Sequence, residues 1–343
     1  MHRWPLVCMR LWDLTRESGL AAGRTAVTVG VALCQLPAGS AVAAESGSSF
    51  YLLGQRGHGA AVLPPVEGVF FALPNYFYSG DASGSLTLPI GGAASVGVDA
   101  DIFLTLPTVI WMTPTDIFGG DLGFSATFVY GKADISATAA VSIPGVIDTT
   151  FDRSDDRWAA GDPVLSAFLG WHQENRHYLV STSLNVPVGN YDVGRLSNVS
   201  LNRWAGDITA AGTWLFPAHS MELSSAAGIT FNGKNDDTEY ETGTEFHLEA
   251  AAFYQFSPAL SAGVNGYFYD QLTGDSGDGA RLGDFKGRVV GIGPGVSGTF
   301  MVGPAPVSVS LRYFHEFNVT NRLEGNTGWL TVALPLWVPE DQR

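Results

Sequence analysis

Three alternating segments in the second half of the chain constrain its fold more than any other feature. Apolar or small side chains take every second position of residues 221–231, 246–256 and 260–268, and mostly polar or small residues lie between them. The polar run 232–243 separates the first two segments, and the tight corner 257–259 separates the last two. A period of two is typical of strands, because successive side chains point to opposite faces. Strand, long polar loop, strand, tight turn and strand is the pattern of an outer-membrane β-barrel.

The same pattern extends along the chain and predicts an all-β, antiparallel, transmembrane barrel of about twelve strands. Short connections of three to five residues alternate with longer polar ones, as in bacterial outer-membrane barrels with short periplasmic turns and long outer loops. The longer connections are predicted at 80–93, 131–161, 189–202, 233–243, 271–285 and 320–326. The strands are predicted near 69–79, 94–112, 117–130, 162–172, 176–188, 203–216, 219–232, 244–257, 260–270, 286–300, 306–319 and 327–337.

The predicted strand 94–112 has two clearly different faces. Apolar residues take its even positions, whereas Asp99 and Asp101 take odd ones. We therefore expect the two aspartates to face the lumen. Pro107 predicts a bulge, because proline cannot donate a ladder hydrogen bond.

Residues 1–44 are predicted to be a secretory signal peptide. They combine four arginines with the apolar run 26–36 and a small-x-small cleavage site at residues 41–43. Removal of this segment takes away both cysteines, so the mature chain has no thiol for a disulfide, a thiolate metal site or a nucleophile. Its net charge changes from −15 to −17, which argues against nucleic-acid binding.

Aromatic residues cluster near the predicted strand ends, where the interfacial girdles of a barrel belong. They are Trp111, Tyr130, Trp171, Tyr178, Trp204, Trp214, Tyr254, Trp329 and Trp337.

Residues 45–68 form a leader without strand periodicity. Glycine and proline recur in it, together with Arg56 and His58. Two alternatives remain open, a disordered periplasmic tail and a plug folded into the lumen, where Arg56 and His58 would pair with acids such as Asp99 or Asp101. The barrel itself is predicted to occupy residues 69–337, followed by a tail at 338–343.

The order of these features resembles a known family. The segment Leu53–Pro65, the motif Asn75–Asp81 and the motif Gly119–Gly123 are similar to those of the MetA-pathway phenol-degradation family of outer-membrane proteins. The resemblance extends from about Tyr51 to Trp337. It implies a barrel in the outer membrane that takes up aromatic or other hydrophobic compounds. The segment ending at Trp337 also resembles the closing strand that the barrel-assembly machinery recognises.

Charged residues on the polar faces are the candidate transport residues. Like charges in a channel favour counter-ions, so a cation-favouring passage is one interpretation. In the other, the carboxylates bond to Arg312 and water and simply fill the barrel. The candidates are Asp99, Asp101, Glu245, His247, Glu249, Arg312 and Glu316. Glu245, His247 and Glu249 share one strand face, but a single strand spaces ligands too widely for compact metal coordination, so no metal and no cofactor are expected.

No catalytic motif is present: the sequence has no Gly-x-Ser-x-Gly and no phosphate-binding loop. We therefore expect a channel or transporter in the outer membrane rather than an enzyme. Its expected partners are outer-membrane lipid, small hydrophobic or aromatic solutes and the assembly machinery. The alternatives are a surface barrel whose outer loops bind a partner and, third, a lipid-modifying enzyme.

Overall fold

A computed structural model describes residues 49–64, 66–87, 93–143, 147–280, 284–303 and 305–339. The predicted signal segment and residues 340–343 of the predicted tail lie outside these ranges. Nearly every described element is a β-strand. Among the described residues, no helix has the length and apolar content needed to cross a bilayer.

The strands follow one another along the chain with short turns on one side. They are β1 (Gly68–Thr87), β2 (Ala93–Thr105), β3 (Thr108–Ile117), β4 (Gly120–Thr127), β5 (Tyr130–Ile143), β6 (Ile147–Ala160), β7 (Val164–Gln173), β8 (Arg176–Asn185), β9 (Ala205–Phe216), β10 (Met221–Asn232), β11 (Lys234–Asn235), β12 (Tyr240–Glu241), β13 (Glu245–Ser257), β14 (Leu260–Gln271), β15 (Arg288–Val302), β16 (Ala305–Thr320) and β17 (Glu324–Trp337). A short 3₁₀ turn at Pro217–His219 joins β9 to β10.

The sheet closes on itself. Each strand pairs antiparallel with its neighbours, and β1 pairs with β17 from Val69↔Trp337 to Asp81↔Glu324. Three pairs of strands, β2 with β3, β4 with β5 and β6 with β7, are single wall strands interrupted by two or three residues. Counted in this way, the wall has twelve strands, and the predicted antiparallel outer-membrane barrel is confirmed.

The interruption between β2 and β3 falls at Leu106–Pro107, where the sequence predicts a bulge. Residues 75–87 of β1 pair with β2 on one side of this point, and residues 68–72 of β1 pair with β3 on the other side. The backbone continues to bond across the break, since the N–H of Leu106 donates to the carbonyl of Pro74 at 2.8 Å. Proline is therefore accommodated where one pairing partner gives way to the next.

The prediction of a long loop at 131–161 is wrong. These residues form most of the hairpin β5–β6, which extends the wall and pairs from Tyr130↔Ala160 to Ile143↔Ile147. Small and polar residues dominate the hairpin, and their alternation is too weak to predict a strand.

Above the barrel wall, β11 and β12 form a second, shorter hairpin. A hydrogen bond from Lys234 to Glu239 in this hairpin raises the pKa of the lysine amine.

Large aromatic side chains face outward near the strand ends, as expected for an interfacial girdle. Trp111, Trp204 and Trp337 are each about half exposed. Trp329 contradicts the prediction, because it is only 1% exposed and its Nε1–H donates to the carbonyl of Leu53 in the leader. Alternation along β17 directs this ring into the lumen, where it packs on the leader.

The largest buried cluster lies inside the barrel and includes the leader. Tyr51 and Leu53 pack there against inward-facing side chains of the wall, such as Tyr267, Phe314 and Trp329. A smaller cluster surrounds Ala61 of the leader and includes Leu179, Ala211 and Ala226. Residues 49–64 thus occupy the lumen and complete its core.

Candidate functional site

One carboxylate on β13 holds the backbone of the leader. Oε1 of Glu249 accepts the N–H of Gly54 at 3.0 Å, and Oε2 accepts the N–H of Arg56 at 2.9 Å. Arg312 on β16 donates from Nη1 to the carbonyl of Gln55 at 3.0 Å. Two opposite charges therefore bind the backbone of three consecutive residues, and hydrogen bonds to charged groups are the stronger kind.

Gly54 makes this approach possible. Its φ of +80° belongs to the left-handed region, and an added Cβ would lie 2.7 Å from the ring of Phe314. Only glycine adopts such a conformation at little cost. The turn lets both N–H groups point at the same carboxylate.

His58 is fixed in a second contact nearer the short-turn side. Its Nδ1 lies 2.9 Å from Oε1 of Glu222, which also accepts the N–H of Gly59 at 2.6 Å. The imidazole stacks on Phe253 with the ring centroids 4.6 Å apart. The guanidinium of Arg56 donates to Ser181 at 2.9 Å. Both leader residues therefore contact the inner wall, but through partners other than Asp99 and Asp101.

The inward face of β13 carries three of the predicted residues, each with its own partners. Glu245 accepts hydrogen bonds from Ser49 at 2.7 Å and Tyr269 at 2.5 Å. Nε2 of His247 lies 2.8 Å from Oδ2 of Asp207, and its ring stacks on Tyr51 with the centroids 3.4 Å apart. The face was predicted correctly. The residues along it contact the leader or its neighbours rather than converging on one point.

Glu316 on β16 is the remaining buried candidate. It accepts the hydroxyls of Tyr78 at 3.0 Å and Tyr267 at 2.8 Å, and the N–H of Gly325 at 3.0 Å. These donors satisfy the carboxylate inside the wall. Glu316 is consequently part of the polar lining rather than an isolated charge.

The structure places Asp99 and Asp101 on the outward face of β2, away from the lumen. Both are exposed, whereas Ala100, Ile102 and Leu104 line the interior. The expectation that the two aspartates face the lumen is therefore wrong. The even, apolar positions of this strand face a cavity, and the odd, acidic positions face outward.

That cavity has a volume of about 490 Å³ and lies between the leader and the wall. The leader contributes Phe50, Leu52, Val62 and Leu63 to its lining. The wall contributes mainly apolar side chains, including Val98, Ala100, Ile102, Leu104, Leu106, Ile110, Val129 and Phe168. A second cavity of about 440 Å³ lies toward the short turns and is lined by His58, His177 and Phe253, among others. Val62 lines both, so the leader stands between them.

The carboxylates at the wall of the larger cavity are already engaged. Asp162 accepts five hydrogen bonds, from Asn185, Gly189, Ser200, Leu201 and Asn202. Asp207 accepts from Thr209 at 2.6 Å and from Thr230 at 2.8 Å, in addition to its contact with His247. Because these carboxylates are satisfied within the protein, the cavity presents mainly apolar surface and hydroxyls to a ligand, together with the side chains of Arg56 and Arg322.

Sequence reasoning missed several residues of this interior. Asp162 precedes β7 and holds the segment 186–204 against the wall, but an aspartate at a strand boundary is an ordinary turn residue in a sequence. Tyr51 and Phe50 lie in the leader, where apolar and polar residues do not alternate as they do in a strand. His172 and His177 lie two positions from either side of Glu174–Asn175, and this spacing in the sequence is the pattern of a cross-strand pair.

Comparison with known proteins places the chain in a family. Residues 85–332 match the model of the family described as "Putative MetA-pathway of phenol degradation". No curated protein matches the chain significantly in sequence.

One solved structure supports the fold, and two others align with the chain at lower TM-scores. An outer-membrane channel from Pseudomonas putida F1 is 15% identical over 80% of this chain and 97% of that chain, with a TM-score of 0.55. A Pseudomonas aeruginosa FadL homologue aligns at 11% identity over 87% of this chain and 97% of that chain, with a TM-score of 0.38. The CymD monoaromatic hydrocarbon channel aligns at 8% identity over 88% and 97%, with a TM-score of 0.40.

Proposed function

The chain belongs to this family of outer-membrane barrels, and from that premise we propose that it carries small, uncharged, apolar or aromatic molecules across the outer membrane. No bond is made or broken in this process. The molecule enters the larger cavity from the outer side and leaves through the smaller one. The leader separates the two.

The observation that carries the proposal is the character of the larger cavity. Its volume of about 490 Å³ falls in the usual range for small-molecule sites. Its lining is mainly apolar, and Asp162, Asp207 and Glu316 bond within the protein. A cation would lose its water while the carboxylates of the lining are already engaged, whereas an uncharged ring would lose little.

The leader acts as a plug in this proposal. Glu249 and Glu222 hold it at two points, and Val62 lies between the cavities. Passage requires residues 57–63 to move, because they separate the two spaces. The cation-favouring passage considered from the sequence receives less support, since the buried acids are paired and Asp99 and Asp101 face outward.

Uptake of N-phenyl-1-naphthylamine by intact cells tests the transport. This uncharged aromatic probe fluoresces when it passes the outer membrane and reaches apolar surroundings. Cells that express the protein should show a faster fluorescence rise than cells with an empty vector.

Two tryptophan substitutions on β2 make the test specific. Ala100→Trp fills the cavity and should reduce the uptake to the vector level. Gly97→Trp is the matched control, because a Cβ at Gly97 meets no atom within 4 Å, and it should leave the uptake unchanged. Equal uptake by all variants and by vector cells would instead favour a surface barrel that binds a partner through its outer loops.

A further inference from the structure

Two histidines face each other across the tight hairpin between β7 and β8. His172 and His177 are directly opposed in the ladder, one position further from the turn than the pair Gln173↔Arg176. Directly opposed side chains on antiparallel strands have Cβ atoms about 4.5–5.5 Å apart. The hairpin by itself thus brings the two imidazoles together.

The nitrogens that face each other are a pair that a metal ion could bridge. Nδ1 of His172 lies 2.7 Å from Nδ1 of His177, and the ring centroids are 4.9 Å apart. With Zn–N bonds of about 2.0–2.1 Å, a tetrahedral ion separates two such nitrogens by about 3.3 Å. The rings therefore need to separate by only a fraction of an ångström.

A carboxylate already stands behind one ring. Oδ2 of Asp121, on β4, lies 3.6 Å from Nε2 of His172. An acid at this position favours the tautomer with hydrogen on Nε2, which leaves Nδ1 free to coordinate. Metal-binding histidines commonly have such a carboxylate partner.

The pair is also accessible. The side chain of His172 is 25% exposed and that of Asp121 is 55% exposed. His177 lines the smaller cavity on the short-turn side, next to the region where His58 and Glu222 meet. An ion can therefore reach the nitrogens from water without disturbing the apolar cavity.

We propose that His172 and His177 bind one Zn²⁺ ion through their Nδ1 atoms, with Asp121 as a positioning residue. The described residues hold no cluster of three or more His, Cys, Asp or Glu side chains arranged to take a metal. Two protein ligands and water thus complete the coordination. In the neutral pair one ring must donate its Nδ1 hydrogen to the other, and on binding that hydrogen moves to Nε2 of the same ring.

Calorimetric titration with ZnCl₂ tests the site, using the mature barrel purified without a polyhistidine tag. One saturable site per chain is expected, and His177→Gln or His172→Gln should abolish it. Asp121→Asn should weaken binding by about ten-fold or more, as loss of an orienting carboxylate usually does. His315→Gln and His219→Gln are matched controls outside the pair, and they should bind Zn²⁺ like the parent protein.

Modification by diethyl pyrocarbonate supplies a second readout that does not depend on a substitution. Zn²⁺ should protect His172 and His177, read by peptide mass spectrometry, while His219 and His315 react as before. Absence of saturable heat together with absence of protection would overturn the proposal. Undiminished binding by the His172→Gln and His177→Gln variants would overturn it as well.

Discussion

At the scale of single residues, three buried charged side chains of the wall bind the backbone of the leader. Glu249 and Glu222 accept hydrogen bonds from backbone N–H groups of the leader, and Arg312 donates one to a leader carbonyl. Each of these side chains lies on an inward position of its strand, so the alternation of β10, β13 and β16 decides what the leader meets. Such contacts are charge-assisted, and their loss leaves donors unsatisfied inside the lumen.

We expect Glu249→Gln to loosen the leader. The neutral amide keeps one acceptor oxygen but loses the charge. Each hydrogen bond to the leader is then weakened by about 1.5 kcal/mol or more, so trypsin should cleave after Arg56 about ten-fold faster. The cleavage can be followed by mass spectrometry of the released N-terminal fragment. The exposed Glu324 gives the matched control, Glu324→Gln, and cleavage at the same rate in the two variants would contradict the assigned role of Glu249.

The faces of β13 could be predicted from the sequence, and those of β2 could not. In β13 the acidic positions face the lumen because the opposite face meets lipid. β2 lies further from the short turns than the membrane-facing part of the wall. At this level its outer face meets water and its inner face meets the apolar cavity. Apolar side chains of a membrane barrel usually face outward, but in β2 they face inward. The sequence does not show at which residue along the wall this reversal begins.

At the scale of elements, the leader differs from the wall strands in how the sequence encodes its position. The leader has no period, since its contacts are made one by one with different strands. Its position depends on residues almost 200 positions away, as with Gly54 and Glu249, which no local pattern encodes. The wall strands, by contrast, follow a local period, and their number could be predicted.

Removal of residues 45–66 tests the leader as a unit. Single-channel conductance in a planar bilayer should increase, because the two cavities would merge into one path. A synthetic peptide of the same residues, added afterwards, should reduce the conductance again. Conductance equal to that of the mature protein would mean that the leader does not limit the path.

At the scale of the whole molecule, the outward face records where the membrane ends. Phe77, Phe103 and Tyr313 stand in one row across neighbouring strands, linked by the register Phe77↔Phe103 and by Gly328 between Phe77 and Tyr313. Immediately above this row, Asp101, Asp134 and Asp156 follow one another on three paired strands. Aromatic rings belong at the interface and carboxylates beyond it.

This boundary predicts a depth-dependent cost for one and the same substitution. Val309→Arg, four residues below Tyr313 on the outward face, should lower the free energy of unfolding by about 2 kcal/mol or more. His315→Arg, two residues above Tyr313 on the same face, should cost about 0–1 kcal/mol. Urea unfolding in lipid vesicles measures both, and similar losses would place the aromatic row elsewhere than at the interface.

The pairing of β1 with β17 imposes an order of events on assembly. The leader precedes the first strand, but the ring that encloses it closes only when the last strand has arrived. Glu222, Glu249 and Arg312 lie on strands that enter the periplasm after the leader, so for most of secretion the leader has no binding site. It must wait outside, keep its glycine-rich backbone free of other structure, and enter the barrel as the wall is completed. The wall is therefore closed around a segment that precedes its first strand.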